Sequence, residues 1–279
     1  MLSLLISVAI SAALVATSII MNAKPETTTF SGVVGFIAAY FFVGFIVRKR
    51  IMKVQNELQA MLQRNQLQMN RKIQQFQSRP GGNIKAMQRQ ITEGQKAVCK
   101  KALDFTTNLE PFKKWTLTMG RQLATMRLQF FYQLNDFEQV DALFATAGLF
   151  KGPIMMEPTM VAMKMARQYK NDDVVGAEKT FTRRIKWFRG NKGTLLYGLM
   201  SWIYLKTNES EKARQLLLKA KDITGNETLA YNAQLLSNCK EKSFSNAGLG
   251  EEWYGLYLEN PPNPKQQRMR GDARGGRGF

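Results

Sequence analysis

Hydrophobic and polar positions change their pattern three times along the chain. From Leu2 to Met21 it reads LSLLISVAISAALVATSIIM, and from Phe30 to Val47 FSGVVGFIAAYFFVGFIV, with no charge in either run. A hydrocarbon core roughly 30 Å thick needs roughly 17–25 apolar residues as a helix. Both runs therefore predict membrane spans. The connector from Asn22 to Thr29 holds Lys24, Pro25, Glu26 and three threonines, enough to reverse the chain but too short for a domain. The expectation is a two-span hairpin over residues 1–50. Arg48, Lys49, Arg50 and Lys53 follow at once, and cytoplasmic flanks carry the excess of Lys and Arg. They predict contact with the membrane surface and place the N-terminus and the remaining body in the cytoplasm, on a plasma or inner membrane. The alternative for the first run is a cleaved signal peptide. That would call for a positive start, and residues 1–20 contain no Lys or Arg.

After the second run the period becomes helical and amphipathic. In IMKVQNELQAMLQRNQLQMNRKIQQFQ, Ile51, Val54, Leu58, Met61, Leu62, Met69, Ile73 and Phe76 recur at three and four, with Asn65 interrupting the stripe. So narrow a stripe suits coiled-coil pairing, with Asn65 setting register in a homodimer; packing on the next helix of the same chain is the other reading. Arg79-Pro80-Gly81-Gly82 predicts a break, and a second basic helix is expected from Asn83 to about Phe105. Residues 51–110 thus form a basic helical connector. Pro111 is expected in the first turn of the helix that opens the next region.

From 111 to 260 the apolar positions predict helices in pairs. The clearest unit is TLLYGLMSWIYLKTNESEKARQLLLKAKDITGN, residues 194–226. Its first helix presents Leu195, Leu196, Leu199, Trp202, Ile203 and Leu205. Lys206-Thr207-Asn208 makes the turn, Asn208 and Glu211 have the spacing of a capping box, and Gly225 stops the second helix. That helix buries Ala213, Leu216, Leu217 and Ala220. In an earlier pair, Ala177 and Phe181 repeat the pattern and Asn171-Asp172-Asp173 supplies the cap. Val140 and Phe144 repeat it earlier still, and Tyr231 with Ala247 continue it. Ala177, Ala213 and Ala247 are spaced about 36 and 34 residues apart, near the ~34-residue period of one repeat family.

With Tyr197, Ser201, Tyr204, Ala213, Leu217 and Ala220 at its small and aromatic positions, the unit resembles a tetratricopeptide repeat. Its flanking copies are degenerate, with Met165 where a small residue belongs and Gly248 and Gly250 inside the last expected helix. The likeness spans about residues 122–260. It implies an all-α solenoid whose first helices line a concave groove for a protein or peptide partner. By position, Trp202, Leu205, Tyr169, Asn232 and Leu236 are the groove residues. A non-repeating helical bundle is the alternative.

Composition narrows the chemistry. With 40 Lys and Arg against 21 Asp and Glu, the net charge is +19, and there is no histidine. A mean hydropathy of -0.28 averages an apolar head with a polar body. Such a charge favours an anionic neighbour, membrane or nucleic acid. Without imidazole the commonest acid–base group is missing, and no phosphate loop, nucleophile elbow or zinc motif is present. Cys99 and Cys239 lie far apart and predict reduced thiols. The expectation is a non-enzymatic protein with no cofactor or metal. Residues 261–279, rich in Gly and Arg, predict a disordered basic tail in which Arg270, Arg274 and Arg277 would contact nucleic acid or acidic lipid. The first functional reading is a membrane-anchored scaffold; the second is a membrane-bound RNA- or ribosome-associated protein.

Overall fold

The computed structural model describes residues 2–22, 24–77, 84–116, 118–146 and 157–261. All regular structure among them is helical, and the chain divides into two compact units, residues 1–155 and 156–279. The expected break at Arg79–Gly82, the linker 147–156 and the tail from Pro262 lie outside the described residues.

In the first unit, α1 (Leu2–Ile20) packs along α2 (Pro25–Gln77). At 1.5 Å per residue α1 is about 28 Å long. Both helices are long and apolar enough to cross a membrane. Their contact depends on small side chains. The Ser11 hydroxyl donates to Gly32 O at 2.8 Å, Ser18 and Ser31 share a hydrogen bond at 3.1 Å, and a Cβ on Gly35 would collide with Leu14. Away from the contact, Leu5, Phe41, Phe42 and Phe45 are exposed.

The second span and the connector are one unbroken helix of 53 residues, about 80 Å long. Ile51 and Val54 on its stripe pack against a core of Leu109, Met119 and Leu123, joined by Phe112 and Met126, and Leu58 is 2% exposed. Ile51 and Val54 are thus covered within the chain, by residues 109–126 rather than by the next helix that the second sequence reading expected. Asn65 donates to Met61 O of its own helix. The helix α3 (Ile84–Thr106) packs on α2, and α4 (Met119–Leu134) packs on α3 and on α5 (Phe137–Thr146).

Pro111 departs from expectation. It sits inside a 3₁₀ stretch, Thr107–Lys114, and the following α-helix begins at Met119. Arg127 of α4 ties this stretch down, pairing with Glu110 at 2.6 Å and donating to the buried Thr106 hydroxyl at 3.0 Å. Hydrogen bonding to Lys113 and Arg127 holds the Glu110 carboxyl below its usual range. The α4–α5 pair turns at Asn135, in the left-handed region at φ 60°, and closes edge-to-face through Tyr132 and Phe137. The sequence grouped this pair with the later repeats, but its contacts belong to the first unit.

In the second unit, α6 (Pro158–Lys170) pairs with α7 (Val174–Arg184), and α8 (Thr194–Lys206) with α9 (Ser210–Thr224); α10 (Glu227–Ser237) follows on α9. Asp173 caps α7 by accepting from Gly176 N at 2.8 Å, and Asn226 caps α10 by accepting from Leu229 N. Gly225 ends α9 at φ 64°. Ala213, Leu217 and Ala220 are fully buried, as is Met165, whose bulk the pairing accommodates.

Two details correct the sequence reading. Asn208 is no capping residue. It adopts φ 61° in the turn, Glu209 takes the cap position, and the Glu211 carboxylate bonds Arg214 and Gln215 instead. Nor does a second helix follow α10. Glycines at 248 and 250 raise the cost of helix there, and residues 241–254 form two 3₁₀ turns and the four-residue α11 (Glu251–Tyr254).

Candidate functional site

An amphipathic surface helix buries one face. In α8 every residue from Thr194 to Tyr204 is buried, so it must be enclosed. Its contacts include α6, α9 and α10, and over its remaining face runs the strap, residues 244–259. Because residue 198 is glycine, the strap approaches the helix backbone directly. Asn246 Nδ2 donates to Gly198 O at 2.8 Å, and Leu249 Cδ1 lies 2.7 Å from where a Cβ would stand.

Three of the five predicted groove residues converge here. Asn232 of α10 is fully buried; its Nδ2 donates to Ser245 O at 3.0 Å and Asn246 Oδ1 at 3.1 Å, while its Oδ1 accepts from Ser245 N at 3.3 Å. One carboxamide thus satisfies both main-chain groups of a strap residue. Trp202 stacks edge-on with Tyr169 at 5.1 Å and with Trp253 of the strap at 5.7 Å. Its Nε1 donates to Glu259 Oε1 at 2.7 Å, and Trp253 Nε1 donates to Glu259 Oε2 at 2.9 Å. Lys206 Nζ lies 5.3 Å from the Trp202 ring centre, close enough for a cation–π attraction.

The other two do not join them. Leu205 is half-buried, and Leu236, though buried, lines a different recess with Asn208, Lys212 and Cys239. Behind the face, the Tyr204 hydroxyl donates to Glu178 at 2.8 Å; burial, then this bond, push the phenol pKa up.

In the first unit, Arg48, Lys49, Arg50 and Lys53 are exposed on α2 and take part in no ion pair among the described residues. A cavity of about 820 Å³ opens beside them, lined by Ser3, Tyr40, Phe41, Phe45, Arg48 and Trp115. Ser3 Oγ donates to Trp115 O at 3.0 Å, bringing an indole to the end of the hairpin that carries the cations. The Ser and Thr hydroxyls of the hairpin are closed by main-chain carbonyls: all nine from Ser3 to Ser31 make such hydrogen bonds. Arg270, Arg274 and Arg277 fall outside the described residues.

Sequence reasoning missed Asn246, Trp253 and Glu259. A signal was present: residues 244–261 contain three Glu and no Lys or Arg, an acidic island in a basic chain. Among the described residues no group of three His, Cys, Asp or Glu is placed to hold a metal ion. No family model matches the chain, and neither a curated protein nor a solved structure matches it significantly.

Proposed function

We propose that this chain is a membrane-anchored adaptor, in which α1 and the first half of α2 cross the bilayer as a hairpin and the second unit, a short tetratricopeptide-like array, recruits a protein to the cytoplasmic face. The observation that carries the recruiting role is the pairing of Asn232 with both main-chain groups of Ser245. Such pairing recognises a peptide main chain whatever its side chains, while Trp202 beside it offers an aromatic anchor. Supporting the anchor are the exposed apolar surface and the closed hydroxyls of the hairpin, since a polar group in hydrocarbon needs an internal partner. Arg48 to Lys53 would lie among the headgroups. Tethering in this way raises the local concentration of the recruited protein without new contacts.

Proximity labelling in intact cells, comparing the full chain with one ending at residue 156, tests the proposal. The adaptor reading expects both chains in the membrane pellet and a specific set of labelled proteins lost from the shorter one. An identical labelled set for the two would remove the recruiting role from the second unit.

A further inference from the structure

The face that would take a partner is covered by the protein's own strap, and the manner of covering specifies a ligand. The strap is held less as a helix packed on helices than as a bound peptide. Its main chain is read at Ser245 by Asn232, its Asn246 reaches the Gly198 carbonyl, and Trp253 and Glu259 engage Trp202. Its own helical content among residues 244–259 is one 3₁₀ turn and one four-residue helix, with Gly250 and Tyr257 at positive φ.

Charge supports the same picture. Residues 157–243 carry 16 Lys and Arg against 9 Asp and Glu, whereas 244–261 carry three Glu and no base. Glu252 shares a recess with Lys192 and Leu249, and Glu259 accepts from both indoles.

We infer that residues 244–259 stand in for the partner: the α8–α10 face takes a short, turn-rich acidic segment with an aromatic residue, and such a segment binds by displacing the strap. This rests on the recruiting role proposed above. It adds the chemistry of the ligand and a built-in competitor that lowers apparent affinity by the fraction of time the face is covered. Glu259→Gln loosens that competitor, because a carboxamide has one oxygen and so can accept well from only one of the two indole N–H groups.

The test uses the full chain in lipid nanodiscs and a fluorescent synthetic peptide with the sequence of residues 244–261; a control peptide carries alanine at the places of Trp253 and Glu259. The peptide is expected to bind the Glu259→Gln protein about tenfold more tightly than the unaltered protein, and the control to bind neither. Hydrogen exchange on the unaltered protein gives an independent reading. Saturating peptide should strip protection from the amides of 244–259 while those of α8 keep theirs. Equal affinity for both proteins overturns the inference. So does a strap whose amides exchange only together with α8, or one that instead swaps between two copies to give a dimer. Should the peptide fail while truncation at residue 156 still loses a labelled partner, the strap inference falls and the recruiting role stands; the opposite pair of results separates them the other way.

Discussion

At the scale of single residues, Asn232 and Trp202 are the most informative positions. Asn232→Ala would leave Ser245 N–H, Ser245 O and Asn246 without their buried partner. Leaving a buried polar group unpaired costs about 1–3 kcal/mol. The expected outcome is a loss of that size in urea unfolding of the second unit, with residues 244–259 losing exchange protection before α8; no loss of stability would show that the carboxamide does not hold the strap. Tyr204→Phe, which deletes a hydroxyl donating to Glu178, is expected to cost about 1 kcal/mol by the same measurement. The sequence marked Asn232 and Trp202 by their place on first helices. It did not reveal what lies against them, because Glu259 is 57 residues from Trp202 and a local period carries no information about a segment that folds back. Asn208 shows a limit of another kind. Its spacing to Glu211 suits a capping box, but the turn needs a left-handed residue there, and Asn fills that role better than most.

Among the elements, the helices of the second unit were the most legible, since their apolar periods, Asp173, Gly225 and the small residues of α9 all agree. The strap was the least legible, being neither periodic nor helical. The stripe of α2 lies between. Heptad-like spacing says that a face must be covered, not by which chain. The cover for Ile51 and Val54 comes from Leu109, Met119 and Leu123, more than fifty residues further on. Contact between α1 and α2 yields a sharp prediction. Ser18→Cys with Ser31→Cys places two thiols where the hydroxyls are 3.1 Å apart, and mild oxidation should join them within one chain. Adding Gly35→Leu drives a branched side chain into Leu14 and should abolish the cross-link. A cross-link that persists at full yield would contradict the packing of α1 on α2.

For the whole molecule, the decisive feature is uneven charge. Residues 48–101 hold 13 Lys and Arg against 2 Asp and Glu, directly after two helices able to cross a membrane. Orientation follows the Lys and Arg nearest the spans. Replacing Arg48, Lys49, Arg50 and Lys53 together by Gln is therefore expected to turn a measurable fraction of molecules over, read by labelling the free, exposed thiol of Cys239 from either side of the membrane. An unmoved population would assign orientation to other residues. The two long apolar helices were legible from composition alone, because crossing a membrane calls for length and apolarity rather than for particular contacts.

Protease accessibility of sealed membranes, after an alkaline carbonate wash, tests the membrane-anchored adaptor most directly. The account predicts that the chain stays in the pellet, that its body from α3 to α11 survives protease added to intact cells, and that inside-out vesicles lose it. Release by carbonate, or digestion of the body from outside intact cells, would contradict it.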